Sequence, residues 1–143
     1  GGNFLNYDTE HYGGIIGFKS DGGINSTFDV IGGFNSAVRS IDYNGRVLVG
    51  GDFTTYQTSL GYTSTNYLIK LNQDATINMT YSEPNNIVYT VLCDLTKTLI
   101  GGQFTRSSDY LIRLDSDGNP DLTFNNGGAG PNSTVYSIIK VAI

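Results

Sequence analysis

The chain has 143 residues, a formal net charge of −5, 38% hydrophobic residues and only 15% charged ones. That length suits one domain with a buried core, and the acidic balance with no basic cluster lacks the electrostatic footprint of a nucleic-acid binder. No run approaches the roughly 20 apolar residues of a membrane span, and none of these residues form a signal-peptide pattern.

Gly1-Gly2-Asn3-Phe4 opens a pattern that returns at Gly50-Gly51-Asp52-Phe53 and at Gly101-Gly102-Gln103-Phe104, at spacings of 49 and 51 residues. A fixed period near 50 marks an array of one unit. We read a single repeat domain, 1–143, with units 1–49, 50–100 and 101–143. An apolar strand ending in a charge follows each double glycine: Ile15-Ile16-Gly17-Phe18-Lys19, Leu68-Ile69-Lys70-Leu71 and Leu111-Ile112-Arg113-Leu114. Polar turns come next, at Ser20-Asp21-Gly22-Gly23, Gln73-Asp74-Ala75-Thr76 and Ser116-Asp117-Gly118-Asn119. Short strands then end in Thr-aromatic pairs, at Ser26-Thr27-Phe28, Met79-Thr80-Tyr81 and Leu122-Thr123-Phe124.

A third strand follows a Gly- or Asn-rich loop, at Val38-Arg39-Ser40-Ile41, Val88-Tyr89-Thr90-Val91 and Val135-Tyr136-Ser137-Ile138. The turn Tyr43-Asn44-Gly45 leads into Val47-Leu48-Val49 and the next double glycine. Asn-Gly between alternating apolar runs signals a hairpin. Valine, isoleucine, threonine and tyrosine suit pleated, half-buried surfaces, and no stretch has a helical period. The fold class is therefore all-β: a propeller-like array of about three four-stranded antiparallel units, the last lacking its closing strand. The double glycines end strands where a Cβ would clash with a close backbone. No helix is predicted after them, so they do not read as phosphate loops.

Three stretches resemble the delta-sixty repeat, a propeller-like repeat of large bacterial and phage surface proteins. They are Leu111-Ile112-Arg113-Leu114-Asp115-Ser116-Asp117-Gly118, Asp121-Leu122-Thr123-Phe124 and Val47-Leu48-Val49-Gly50-Gly51-Asp52-Phe53-Thr54. The second unit departs from that pattern at Asp74-Ala75, where the repeat has Asp-Gly. The resemblance implies a repeat scaffold and carries over no catalytic residue. Propellers use about four to eight blades, so three units leave three expectations open: a strained ring, a piece of a longer array, or ends completed by neighbouring chains. The apolar run Ile138-Ile139 and Val141-Ala142-Ile143 reads as a strand edge, and such edges recruit partner strands. Ile139, Val141 and Ile143 are thus candidate assembly contacts.

Other candidates are weighed by their chemistry. Cys93 is the one cysteine and cannot form an internal disulfide; it reads as a buried inert thiol, with His11 the only histidine available to activate it. Asn25, Asn78 and Asn132 each begin an Asn-x-Ser/Thr sequon and are candidate glycosylation sites. Asp115, Asp117, Asn119 and Asp121 space oxygens like the opening of a calcium loop. Pro120 stands where that loop needs glycine and Asn126 where it needs glutamate, which makes a plain turn the leading reading and calcium the minor one. Paired carboxylates among Asp8, Glu10 and Asp52 recur in no common context, so no catalytic residue and no cofactor are expected. Tyr56, Tyr62 and Tyr67 are grouped in and directly after the longest inter-strand loop, 54–66, which exceeds its counterpart at 105–109. Extended loops carry function, and tyrosine supplies rigid contact area with a polar tip. Tyr7 and Tyr12 form a second exposed group able to stack on sugars.

The leading expectation is a structural, non-enzymatic repeat module of an extracellular, cell-surface or virion-surface assembly, such as a filament, fibre or tail appendage. Its partners are copies of itself or neighbouring repeats. The alternative is an adhesion module whose loop tyrosines bind a surface glycan or protein.

Overall fold

The computed structural model describes residues 1–94, 96–105, 109–125 and 128–141. Among them there is no helix; the regular structure is twelve β-strands. In chain order these are β1 (Asn6–Tyr7), β2 (Glu10–His11), β3 (Gly33–Phe34), β4 (Val38–Tyr43), β5 (Val47–Gly51) and β6 (Thr55–Thr58), then β7 (Gly61–Ser64), β8 (Leu68–Leu71), β9 (Ile77–Thr80), β10 (Val88–Asp94), β11 (Lys97–Gly102) and β12 (Leu111–Leu114). They form sheets ordered β4-β5-β8-β9, β10-β11-β12, β3-β6-β7 and β1-β2. The first two are successive blades of one design, antiparallel throughout.

Local chemistry sets the first hairpin of the β4-β5-β8-β9 blade. Tyr43 pairs with Val47 across Asn44-Gly45-Arg46, and Gly45 holds φ at 73°, a left-handed value that glycine adopts without a Cβ penalty. Along β5 the side chains alternate. Leu48 enters the core it shares with Leu68, Val88, Val91, Ile100 and Phe104, whereas Val49 enters the core it shares with Phe34, Phe53, Tyr56 and Ile69. The β4-β5-β8-β9 sheet thus feeds an apolar layer on both faces, and β10-β11-β12 stacks on it through the second of those layers. Phe53 and Phe104, two residues past their double glycines, are both fully buried.

The two glycines of each pair have different steric reasons. A Cβ on Gly50 would sit 2.5 Å from Val88 Cγ1, and one on Gly101 would sit 2.6 Å from Val135 Cγ1. Gly1 stands in the same relation to Val38 Cγ1, at 2.5 Å. The first glycine therefore admits the first strand of the following blade. A Cβ on Gly51 would meet Ala37 O at 2.2 Å, and one on Gly102 would meet Ile87 O at the same distance. The second glycine admits the backbone that enters its own blade.

Five expected elements take another form. The Thr-aromatic segments are turns in two units. Asp121 Oδ1 accepts the N–H and the hydroxyl of Thr123, and Phe124 N donates to Asp121 O. Asn25 does the same for Thr27 N and Phe28 N. Side-chain bonds to the local backbone there outcompete a sheet ladder. Among the described residues only the middle copy is a strand, β9, so only one blade there has four strands, and Leu114↔Pro120 is the remnant in the next. Residues 15–19 keep a single bridge, Phe18↔Ile24, and 135–138 carry no strand ladder. Finally, the loop 54–66 is a hairpin. β6 and β7 pair with each other, and β6 pairs with β3, so the segment is a small sheet beside the blade.

Candidate functional site

The surface with the most repeated design is the contact between units. Val38 N donates to Gly2 O at 3.1 Å, and Val135 N donates to Gly102 O at 3.3 Å. Farther along, Val91 N donates to Ser40 Oγ at 3.1 Å, and Ile138 N donates to Thr90 Oγ1 at 3.2 Å. Arg39 and Tyr89 occupy the irregularity in each first strand, opposite the double glycine. They stack in series: the Arg39 guanidinium lies 5.4 Å from the Tyr89 ring, whose centroid is 5.0 Å from that of Tyr136. Arg39 is itself held by a bidentate pair with Asp52, at 2.7 and 2.6 Å. So residues 135–140 follow β10 as β10 follows β4, without a ladder of their own. Ile139 is 82% exposed and Val141 71%, which leaves both open to contact. Ile143 lies outside the described residues.

The loop tyrosines divide. Tyr56 is buried and donates its hydroxyl to Ala75 O at 2.9 Å. Burial, with the nearby charges of Asp29 and Asp74, pushes its pKa up to about 12. Tyr67 takes a left-handed φ of 62° and packs against the second core. Tyr62 is the outward-facing ring of the three, 73% exposed beside Leu60 at 98%. The hairpin tip, with Ile31 and Ile77, bounds a cleft of about 340 Å³. Of the other pair, Tyr12 packs against the first core, while Tyr7 meets Phe18 edge-on at 5.5 Å.

The acidic turn is knit to itself. Asp115 Oδ1 accepts Asp117 N at 3.0 Å and Asn119 N at 2.9 Å. Asp121 serves a different cluster: Lys97 Nζ approaches its Oδ2 at 2.5 Å and Arg113 at 2.9 Å. Among the described residues no three of His, Cys, Asp and Glu are grouped for a metal. The hydrogen bonds from Lys97, then from the Thr123 hydroxyl and N–H, hold the Asp121 carboxyl far below the usual carboxylate range. Its folded-state pKa is thus lower than its unfolded one, near 4. The stability it contributes is present above that pH and is lost as pH falls toward the folded value. Asp121→Asn should therefore flatten the acid limb of urea midpoint against pH below about 4. An unchanged limb would assign the acid sensitivity elsewhere.

Cys93 is half-buried, and burial above all, with Asp42 nearby, pushes its thiol up to about 11 against the opposing charge of Lys70. His11 bonds Gly32 O and Asn6 Oδ1 instead. Of the sequon asparagines, Asn25 caps its own turn, Asn78 donates to Asn72, and Asn132 is exposed.

One repeated role escaped the sequence reading. Asn35 Oδ1 accepts Thr54 N and Thr55 N, and Asn85 Oδ1 accepts Thr105 N. Each asparagine stands three residues before the first-strand valine, as Asn132 does before Val135. That shared offset was the available signal.

Blades that stack face to face through repeated glycine contacts define a propeller-like repeat protein. Residues 44–81 and 97–124 match the family model described as a domain of unknown function (DUF5122) beta-propeller. The matched spans are equivalent, each running from the first hairpin through the Thr-aromatic pair. No curated protein and no solved structure matches the chain.

Proposed function

We propose that the chain is a structural, non-enzymatic repeat module of an extracellular or virion-surface assembly, of the delta-sixty type that its motifs resemble. The observation that carries this reading is the contact made by Gly1 on Val38, by Gly50 on Val88 and by Gly101 on Val135. A surface used again and again to join like units suits a scaffold built by stacking, as in other repeat proteins. The exposed Tyr136, Ile139 and Val141 continue that surface and are the residues to meet the next unit or a second copy. Sedimentation velocity tests it. The native chain should associate as its concentration rises into the micromolar range, and Ile139→Lys with Val141→Lys should abolish association. A monomer at all concentrations would overturn the assembly reading.

The second reading is adhesion to a surface glycan or protein, favoured by the exposed Leu60 and Tyr62 beside a cleft. Loss of cell or glycan-array binding in Tyr62→Ala would shift weight to it.

A further inference from the structure

The two blades flank an open cavity of about 150 Å³ whose lining includes Arg46, Lys70 and Lys97. Cys93, Thr98 and Ser116 border it as well. A protein with a net charge of −5 and eight lysines and arginines has gathered three of them here. Like charges so placed repel unless something offsets them.

The following unit shows what offsets such a pair. Lys97 and Arg113 converge on the Asp121 carboxylate, at 2.5 Å and 2.9 Å. Arg46 and Lys70 are their counterparts one unit earlier. Arg46 precedes Val47-Leu48-Val49-Gly50-Gly51 as Lys97 precedes Thr98-Leu99-Ile100-Gly101-Gly102. Lys70 is third in Leu68-Ile69-Lys70-Leu71, as Arg113 is in Leu111-Ile112-Arg113-Leu114. The acid of the trio is replaced: Asn78 stands at the place of Asp121 and turns away to Asn72 Oδ1, at 3.1 Å. Among the described residues neither Arg46 nor Lys70 has a carboxylate within 4.0 Å. Arg46 donates to Gly45 O, and Lys70 lies 5.9 Å from the Tyr81 ring. The neighbouring Asp42 is engaged through Oδ2 with Cys93 N, at 2.6 Å.

We propose that this inter-blade cavity binds a carboxylate from outside the chain, with Arg46 and Lys70 as its clamp. The ligand supplies to this unit the charge that Asp121 supplies to the next. Ionised donors and acceptors make the stronger hydrogen bonds, and the guanidinium of Arg46 matches a planar carboxylate. The cavity volume admits a group of acetate size.

The test is an NMR titration of the ¹⁵N-labelled chain with sodium acetate at fixed ionic strength, balanced with sodium chloride. Saturable shifts should appear at the amides of Cys93, Thr98 and Ser116. Arg46→Gln with Lys70→Gln should weaken binding by at least about tenfold, whereas Lys19→Gln should leave it unchanged. If the double variant loses amide dispersion, Lys70→Gln alone carries the test, with several-fold weaker binding expected. Shifts that do not saturate, or equal affinity in the cavity variants, would overturn the site. Sulfate binding tighter than acetate at the same amides would overturn the carboxylate assignment.

Discussion

Gly51→Ala should lower the unfolding free energy by about 3 kcal/mol, read as a drop in the urea midpoint. The new methyl would lie 2.2 Å from Ala37 O, a distance that no packed pair sustains. That carbonyl is backbone and cannot rotate aside. It also accepts Asp52 N at 2.9 Å, so moving it breaks the bond that closes the blade's entry. Gly102 repeats the arrangement with Ile87 O, which accepts Gln103 N at 2.9 Å, and Gly102→Ala should cost as much. The other glycine of the pair provides a contrast. Gly50 faces methyl groups of Val88 and Val91, which can yield, so the cost of Gly50→Ala should be lower, about 1–3 kcal/mol. Gly45→Ala is the control for conformation alone. Nothing lies within 4 Å of its Cβ position, and only the positive φ is strained, at about 1 kcal/mol. A Gly51→Ala protein no less stable than Gly45→Ala would refute the assignment of the second glycine to backbone approach.

Phe53→Ala should be the costliest side-chain truncation, at about 3–5 kcal/mol. The ring is fully buried, and its centroid lies 4.1 Å from that of Phe34, which in turn lies 4.8 Å from Tyr56. These rings join the blade to the β3-β6-β7 sheet beside it. Removing the Phe53 ring forfeits both its transfer energy and its contact with Phe34, and leaves a cavity that the neighbours cannot fill. Phe104→Ala should behave alike in the second core, where Phe104 is also fully buried. Phe4 is only partly buried and should lose less. Should Phe53→Ala fail to fold, Phe53→Leu keeps the comparison, with a loss of about 1–3 kcal/mol. A small effect at Phe53 alongside a large one at Phe4 would contradict the core as described.

Much of the blade was legible because its signals are local. Asn44-Gly45 specifies a hairpin from two residues, and the alternation in Val47-Leu48-Val49 specifies which side chains face which core. The Gly-Gly-x-Phe period announces repetition, and a single cysteine by itself excludes an internal disulfide. The exposure of the candidate contact residues differs from one to the next. Ile139, Val141 and Tyr62 are exposed, but Tyr56 is buried, since a tyrosine in a long loop carries no mark of the side it faces.

The chain's periodic text determined the all-β class, the repeat unit and the Asn44-Gly45 hairpin, because strand alternation and turn chemistry act over a few residues. Only the tertiary structure decided that Asp121 and Asn25 would close turns where a fourth strand was expected, and that 54–66 would fold back onto Gly33–Phe34. It also decided that Lys97 and Arg113 would share an acid while Arg46 and Lys70 would not. These outcomes depend on groups far apart in the chain, such as Ser40 and Val91, whose proximity is set by how one blade stacks on the next.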